Sequence, residues 1–325
     1  MPTNNSKPLV SVLIGAYNHQ DYVAATIQSI IDQTYSNIEL IVIDDGSTDA
    51  TWERIKVMQS ACEQRFQRVV FQTKNNEGSC VTVNKLLDLA KSEFVYLIAS
   101  DDLAKPTAIE KELAFLTINP EYAMVMGDDE FIDKNGKRCY WDKNRNIIYD
   151  IHKAASKTYK DHLQRVCNIQ FNSDDFGAYD KLYIANHIPN GYLVRKSIFN
   201  IIGKFTYEAP LEDYWLMLQI SKYAKIKFLD EVLFSYRWHD SNTIKKENLI
   251  IDYMQKTRAY ENKLLDNIDD KTVLPAVLKI KYGVLEKIIG IPYIATIETK
   301  YLRLIKQKRV FKIFNFPVFI WCKKN

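Results

Sequence analysis

The first 130 residues alternate short apolar runs with amphipathic segments, and this alternation constrains the fold more than any other feature. Five runs have the length and composition of strands: 10–16, 38–43, 68–73, 94–99 and 122–126. Helical patterns separate them, as in the segment that carries Val23, Ile27, Ile30 and Ile31 on one face. Strand–helix alternation with short connections predicts an α/β fold with a mostly parallel, Rossmann-like sheet flanked by helices.

The rest of the chain is less regular. Asn135-Gly136 predicts a hairpin turn within the segment 130–210. A helix is expected over 211–223 and a strand over 232–238, and the pattern is mainly helical from about Lys245 onward. Glycine-rich phosphate loops of the G-x-G-x-x-G or G-x-x-x-x-G-K-[ST] type are missing from the sequence, so dinucleotide and P-loop binding lack their backbone cradle.

Composition indicates a chain that can bury a substantial hydrophobic core. The cysteines indicate a reducing compartment. Hydrophobic residues make up 47% of the 325 residues and charged residues 26%. The five cysteines form an odd set without a C-x-x-C pair, which argues against a disulfide framework or a cysteine zinc site. Residues 1–8 are polar and lack the apolar core of a signal peptide, and no apolar run is long enough for a membrane span. We therefore expect a cytoplasmic protein.

The net charge of +4 is unevenly distributed. Residues 300–325 contain eight basic residues and no acidic one, so the preceding 299 residues carry a net charge of about −4. An acidic body argues against nucleic acid as a partner. The basic, aromatic-rich tail is typical of a peripheral contact with an anionic membrane surface, here the inner face of the cytoplasmic membrane. The alternative is a helix that packs on the preceding domain with a solvated basic face.

Acidic residues follow two of the predicted strands. Asp44-Asp45 comes after the second run and Asp101-Asp102 after the fourth, while Tyr17 follows the first. Ligands of parallel α/β sheets bind beyond the carboxyl ends of the strands, where these side chains are expected to gather. Paired carboxylates there suit a divalent cation on a diphosphate. Each pair also fits an ordinary turn or helix cap.

The ordered set of these motifs resembles the family 2 glycosyltransferases of the GT-A fold. The resemblance covers residues 8 to about 243. Its elements are 10–18 (VSVLIGAYN), 41–49 (IVIDDGSTD), Asn76-x-Gly78, Asn84, Ser100-Asp101-Asp102, Glu212-Asp213 and Tyr236-Arg237-x-His239. It implies a catalytic domain over 1–243, divided into a nucleotide-sugar-binding half (8–130) and an acceptor and catalytic half (131–243). A helical, basic C-terminal region (244–325) follows.

The resemblance also implies a role for each matching residue. The donor nucleotide sugar would contact Ala16, Tyr17, Asn18, Asp45, Asn84 and Asp101. Mn²⁺ or Mg²⁺ on the donor diphosphate would be held by Asp102 with Asp101 and His239. Asp213 would be the catalytic base, with Glu212 supporting it. Lone histidines elsewhere, such as His19, lack the spacing of a zinc site.

The implied activity is inverting transfer of a sugar from a nucleotide-sugar donor, a UDP-sugar, to a hydroxyl of a glycan or lipid-linked acceptor. Such enzymes build bacterial surface glycans. Two alternatives stay open. A nucleotidyltransferase also places paired carboxylates and a divalent metal on an α/β sheet. Two departures from the family pattern, Val83 where an arginine is frequent and Ser100 in place of a first carboxylate, keep open a non-catalytic subunit that binds a sugar nucleotide or carbohydrate.

Overall fold

A single mixed sheet organises the chain. The structure is a computed structural model and describes residues 7–184 and 186–266. The strands are β1 (Val10–Ala16), β2 (Ile38–Asp44), β3 (Arg68–Thr73), β4 (Phe94–Ala99), β5 (Leu103–Ala104), β6 (Tyr122–Asp133), β7 (Arg138–Trp141), β8 (Ile147–Ile148), β9 (Tyr192–Arg195) and β10 (Lys225–Trp238).

Helices connect most of these strands. They are α1 (Val23–Ile31), α2 (Thr51–Val57), α3 (Gln59–Arg65), α4 (Ser79–Leu89), α5 (Ala108–Ile118), α6 (Tyr159–Cys167), α7 (Tyr179–Ile184), α8 (Phe199–Ile202), α9 (Glu212–Tyr223) and α10 (Glu247–Asp266). Within the described ranges, no helix combines the length and apolar character needed to cross a bilayer.

The strand order is β3-β2-β1-β4-β9-β6-β10-β5, with β7 and β8 extending from β6. Strands β1 to β4 pair in parallel, and β10 runs parallel to β6. Only β9 and β5 run against their neighbours on this path. The mostly parallel, helix-flanked sheet predicted from the sequence is therefore confirmed.

Both faces of the sheet are covered by apolar side chains, which explains why the strands read as continuous apolar runs. One core lies between the sheet and α1, with Val23, Ile27 and Ile30 fully buried. The other packs α4 and α9 on the opposite face, with Leu86 and Leu216 almost wholly buried. Two covered faces leave the strand ends as the open edge of the sheet.

The predicted elements are confirmed with changes at their borders. The helix expected after β2 breaks at Met58 into α2 and α3. The fifth strand continues to Asp133, where the predicted Asn135-Gly136 turn follows with Gly136 at φ +83 and leads into β7. The expected helical region 244–325 is described only as far as α10, and its remainder, with the basic tail 300–325, lies outside the described residues.

Candidate active site

The loops after β1 and β2 are joined into one surface. The Asp45 N–H donates to the Ala16 carbonyl at 2.8 Å. Asn18, in the left-handed region at φ +53, accepts from the Thr48 N–H at 2.8 Å and donates its own N–H to the Ser47 hydroxyl at 2.9 Å. These bonds hold the predicted nucleotide-binding segments side by side.

Tyr17 projects from this surface. The Tyr17 side chain is 45% exposed, whereas Ala16 beside it is buried. An exposed aromatic ring beside a polar loop can stack on a planar base. Its place at the end of β1 matches the role that the family resemblance implies for it.

The Asp45 carboxylate is occupied by the loop that follows β3. It accepts from the Glu77 and Gly78 N–H groups, both at 2.9 Å, and from the Lys74 ammonium. Burial works against the charged form, but the Lys74 and Glu77 hydrogen bonds outweigh it and lower the pKa of Asp45. Asp45 therefore stays ionised and fixes the loop, and a hydrogen bond from it to a nucleotide base remains a prediction.

Asn84 likewise contacts protein. Its amide donates to the Phe205 carbonyl at 2.9 Å and accepts from the Phe205 N–H at 3.0 Å. This two-bond contact joins α4 to the segment that leads into α9. The predicted contact of Asn84 with the donor would require a further hydrogen-bonding position on the same amide.

The two adjacent aspartates after β4 have different surroundings. Asp102 is buried, and its carboxylate accepts from the Arg237 N–H at 2.7 Å. Burial, followed by the charge of Asp101, raises the pKa of Asp102 well above its usual value. Asp102 thus points at the β10 backbone, and its predicted metal contact stays untested.

Asp101 instead meets two histidines. Its Oδ2 atom lies 2.9 Å from His239 Nε2 and 3.8 Å from His19 Nε2. One ligand atom from each of the three residues lies within 4.8 Å of the others. We call this group the His19–Asp101–His239 cluster. Burial opposes ionisation of Asp101, but the two histidines lower its pKa, so the cluster offers an anionic oxygen.

Each histidine of the cluster is oriented by a serine. The Ser100 hydroxyl lies 2.8 Å from His19 Nδ1, and the Ser241 hydroxyl lies 2.8 Å from His239 Nδ1. A partner on Nδ1 that fixes the ring and presents Nε2 is the arrangement found around metal-binding histidines. Two imidazole nitrogens and one carboxylate oxygen fit a divalent transition metal ion.

Glu212 and Asp213 begin α9, and both are half-buried. Burial and the neighbouring Asp213 charge raise the pKa of Glu212 to about 7. Burial also raises the pKa of Asp213, against hydrogen bonds from the Tyr214 N–H and the Asn186 amide. A carboxylate with a raised pKa is a stronger base than one in water, which suits proton removal.

Two tyrosines connect this pair with the sheet edge. Burial and the charges of Asp213 and Glu212 raise the pKa of the Tyr192 hydroxyl. Tyr192 pairs with Leu97 near the end of β4. Burial and the charges of Asp129, in the second half of β6, and Asp213 raise the pKa of the Tyr159 hydroxyl. The segment before α9 also contacts the strand-end loops, since the Tyr207 hydroxyl donates to the Glu77 carbonyl at 2.6 Å and the Glu77 N–H donates to Asp45.

His19 is the residue that the sequence reasoning missed. The spacing of histidines along the chain predicts no ligand role for His19, because such spacing carries no information about ligands from separate loops. The useful signal is its position two residues after Tyr17, at the strand edge where Asp101 is expected.

The sequence of the chain is similar to those of known proteins. The family model described as glycosyl transferase family 2 matches residues 11–186. An uncharacterized glycosyltransferase of Haemophilus influenzae is 30% identical over 240 residues, which are 73% of this chain and 67% of the relative. The Escherichia coli UDP-Glc:alpha-D-GlcNAc-diphosphoundecaprenol beta-1,3-glucosyltransferase WfaP is 37% identical over 33% of this chain and 41% of its own length.

A solved structure shows the same fold at low identity. The mannosyltransferase PcManGT from Pyrobaculum calidifontis, solved with GDP-Man and Mn²⁺, superposes with a TM-score of 0.57 at 14% identity. The match covers 99% of this chain and 88% of that protein. With the family model matching more than half of its length, the chain belongs to the family 2 glycosyltransferases.

Proposed function

We propose that this glycosyltransferase transfers a sugar from a nucleotide-sugar donor to an acceptor hydroxyl with inversion at the anomeric carbon. The observation that carries the proposal is that two groups of ionisable side chains lie on segments joined at the strand ends, where Tyr207 before α9 donates to Glu77 and Glu77 donates to Asp45. One is the His19–Asp101–His239 cluster after β4, and the other is the Glu212–Asp213 pair on α9. The first suits a diphosphate with its cation, and the second suits a base.

Asp213 is the proposed base. Its carboxylate takes the proton from the acceptor hydroxyl while the hydroxyl oxygen attacks the anomeric carbon and the bond to the nucleoside diphosphate breaks. A single displacement of this kind inverts the configuration. Glu212 shares the first turn of α9 with Asp213, and burial together with the Asp213 charge raises the pKa of Glu212 to about 7, so Glu212 supports the base as a neighbour that readily holds a proton.

Replacing Asp213 by asparagine tests this role, because the change keeps the shape and removes the base. We expect Asp213→Asn to lower kcat by roughly 10²–10⁴-fold while the affinity for the donor stays the same. Glu208→Gln is the matched control, since Glu208 is an exposed carboxylate on the segment before α9. Turnover of Asp213→Asn close to that of Glu208→Gln would remove Asp213 from the mechanism.

Asp101 and His239 are the proposed residues for the divalent cation, with His19 as a further ligand. The ion would stabilise the negative charge that develops on the departing diphosphate. Nitrogen ligands favour Mn²⁺ over Mg²⁺, which prefers oxygen. Asp102 remains a proposed ligand of the same ion, although its carboxylate is bonded to β10 here.

Direct binding of Mn²⁺ to the full chain, followed by electron paramagnetic resonance, tests the ligand set. We expect His239→Gln, Asp101→Asn and His19→Gln each to weaken binding by about 10-fold or more, in line with losses seen around metal sites. His152→Gln, at an exposed histidine distant in sequence from the cluster, is the control. Wild-type affinity in all three variants would refute this site.

The proposed donor is a UDP-sugar and the proposed acceptor is a glycan or a lipid-linked glycan of a surface polysaccharide. Support comes from the name of WfaP, which pairs UDP-glucose with a diphosphoundecaprenol-linked sugar. Thermal stabilisation by a panel of UDP- and GDP-sugars with Mn²⁺ tests the donor class, because a ligand that binds the folded state raises its stability. Stabilisation by GDP-sugars alone would contradict it.

A lipid-linked acceptor also supports a cytoplasmic protein at the inner face of the membrane. The proposed contact is the basic segment 300–325. Replacing Lys306, Lys308 and Arg309 by glutamine should weaken flotation with anionic vesicles, at roughly 1 kcal/mol per charge. Undiminished flotation would exclude the contact.

A further inference from the structure

A tight turn between β7 and β8 presents one arginine. Asp142 accepts from the Asn144 and Asn146 N–H groups, both at 2.8 Å, and the Asn146 amide also bonds to it. The Arg145 N–H donates to the Asp142 carbonyl at 3.1 Å, and Arg145 has φ +65. A non-glycine residue in this region costs free energy, so the turn holds Arg145 against a local preference.

The Arg145 guanidinium lies over two tryptophan rings. Its carbon is 5.5 Å from the centroid of Trp141 and 5.0 Å from that of Trp238. Both rings are buried, and Trp141 stacks on Phe131 at 3.8 Å between centroids. Stacking on aromatic rings fixes a guanidinium in place and leaves the N–H groups at its edge available.

Those N–H groups have no protein acceptor within the part of the chain that the structure describes. No carboxylate of residues 7–184 or 186–266 lies within ion-pair distance of Arg145, and its recorded contacts are the two rings. The side chain is only partly exposed. A guanidinium has five N–H donors, and donors fixed without protein acceptors at a half-buried place are suited to an external anion.

A second cation shares the Trp238 ring. The Lys245 ammonium lies 4.6 Å from its centroid. The recorded ion pair of Lys245 is with Asp240 at 3.5 Å, and Asp240 is fully exposed, so water weakens this pair. Arg145 and Lys245 thus make a positive patch around Trp238, which directly precedes His239.

The patch adjoins the proposed metal site. Trp238, the ring that both cations contact, directly precedes His239 of the His19–Asp101–His239 cluster. Trp141, the other ring beside Arg145, lies 5.1 Å from the His162 ring. Burial and the charges of Asp102 and Asp101 raise the pKa of the Tyr236 hydroxyl, and the Arg145 charge opposes that rise. Arg145 therefore lies next to the segment that carries His239.

We propose that Arg145, with Lys245 as the second cation, binds an oxyanion carried by the acceptor, either a phosphate or a carboxylate. This rests on the proposed function, since it assigns the patch to the substrate whose hydroxyl Asp213 deprotonates. The anion fixes the orientation of the acceptor, and uncharged sugars lack this contact. Binding of the anion itself can be measured without turnover.

The test is a titration of the full chain with inorganic phosphate and, separately, with acetate, in EDTA so that no metal bridges the anion. The total tryptophan fluorescence follows the binding, since Trp141 and Trp238 lie beside Arg145. We expect Arg145→Gln to weaken phosphate binding about tenfold, the lower bound for a charge-assisted hydrogen bond. Lys143→Gln, at an exposed lysine in the same turn, should bind as wild type does.

The outcomes distinguish an acceptor that carries a phosphate from one that carries a carboxylate. A response to phosphate but not acetate assigns a phosphate-bearing acceptor, and a response to both assigns a carboxylate as well. Wild-type phosphate binding in Arg145→Gln overturns the proposal, as does a matching loss of UDP affinity with Mn²⁺, which would assign the patch to the donor. Arg145→Lys keeps the charge and should retain part of the binding, which separates lost contact from misfolding. An active Asp213→Asn variant would instead refute the proposed function alone.

Discussion

A buried ion pair joins the C-terminal helix of the described chain to the helix that carries Asp213. Lys222 on α9 and Glu261 on α10 are 2.7 Å apart, with side chains 1% and 0% exposed. Glu261 also accepts from the Tyr179 hydroxyl and from the Gln219 amide, the latter at 2.6 Å. Lys222 also donates to the side-chain amide oxygen of Gln219 at 2.9 Å. Each charge therefore has several partners.

Replacing Lys222 by methionine keeps the length of the side chain and removes the charge. Glu261 would then be a buried carboxylate that keeps its hydrogen bonds from Tyr179 and Gln219 but has lost the Lys222 cation. Removing one member of a buried pair costs about 3–5 kcal/mol, since the remaining charge is uncompensated. In Lys222→Met/Glu261→Gln both charges are gone and residue 261 still accepts a hydrogen bond. We expect the double variant to be more stable than Lys222→Met by about 2 kcal/mol or more, since it leaves no unpaired charge.

The assay is urea unfolding at pH 7.5, followed by circular dichroism and extrapolated to water. Lys256→Met is the matched control on α10, because Lys256 is exposed and its pair with Asp252 is worth only about 0.3–0.5 kcal/mol. A loss below about 1 kcal/mol in Lys222→Met would contradict the cost of the uncompensated charge. A double variant no more stable than the single one would show that packing, and not charge, governs this contact.

Two further predictions concern stability near the site. Burial raises the pKa of Glu212 to about 7 in the folded state, so the folded protein binds a proton at Glu212 more tightly than the unfolded chain does. The contribution of this proton to the free energy of unfolding is fully present below the unfolded pKa and is lost as the pH rises through about 7. Glu212→Gln should therefore raise the free energy of unfolding by on the order of 1–3 kcal/mol at pH 8 and by little at pH 4, and equal effects at both pH values in urea titrations would contradict this. Asn84→Ala should lower that free energy by about 1–3 kcal/mol, because both polar groups of Phe205 lose their partner; a thermal melt indistinguishable from wild type would show that water replaces the amide without cost.

Strands buried on both faces were readable from the sequence, and short antiparallel ones were not. Strands β1, β2 and β4 are mainly apolar runs because the sheet is covered on both sides there, whereas the edge strand β3 is only partly buried. Strand β9 has four residues, and its place between β4 and β6 depends on pairings with residues about 70 to 100 positions earlier. No local periodicity encodes such pairing. Gly191 before it has φ +60 and packs on the Phe234 ring, a close approach visible only in three dimensions.

The edge of the sheet was predictable, while the partners of its side chains were not. The rule that ligands gather beyond the strand ends placed Asp45 and Asp101 correctly at that edge. It could not tell that Asp45 would be bonded to Glu77 and Gly78, or that Asp102 would face Arg237. Those contacts depend on the conformations of loops that carry no sequence period.

The two acidic pairs obey one electrostatic rule. Two adjacent carboxylates that are both ionised repel, and a site avoids this when the surroundings drive their pKa values apart. His239 and His19 keep Asp101 charged, while burial favours the protonated form of Asp102. On α9, the Asp213 charge helps to raise the pKa of Glu212 to about 7. In each pair, one carboxyl is therefore shifted toward its protonated form, which lowers the charge of the pair below that of two ionised carboxylates. Under the proposed function, that supplies one anionic ligand for a cation and one carboxylate for a proton. Two fully ionised pairs would place four negative charges beside an anionic diphosphate, so the unequal pairs make a donor site of this composition electrostatically feasible.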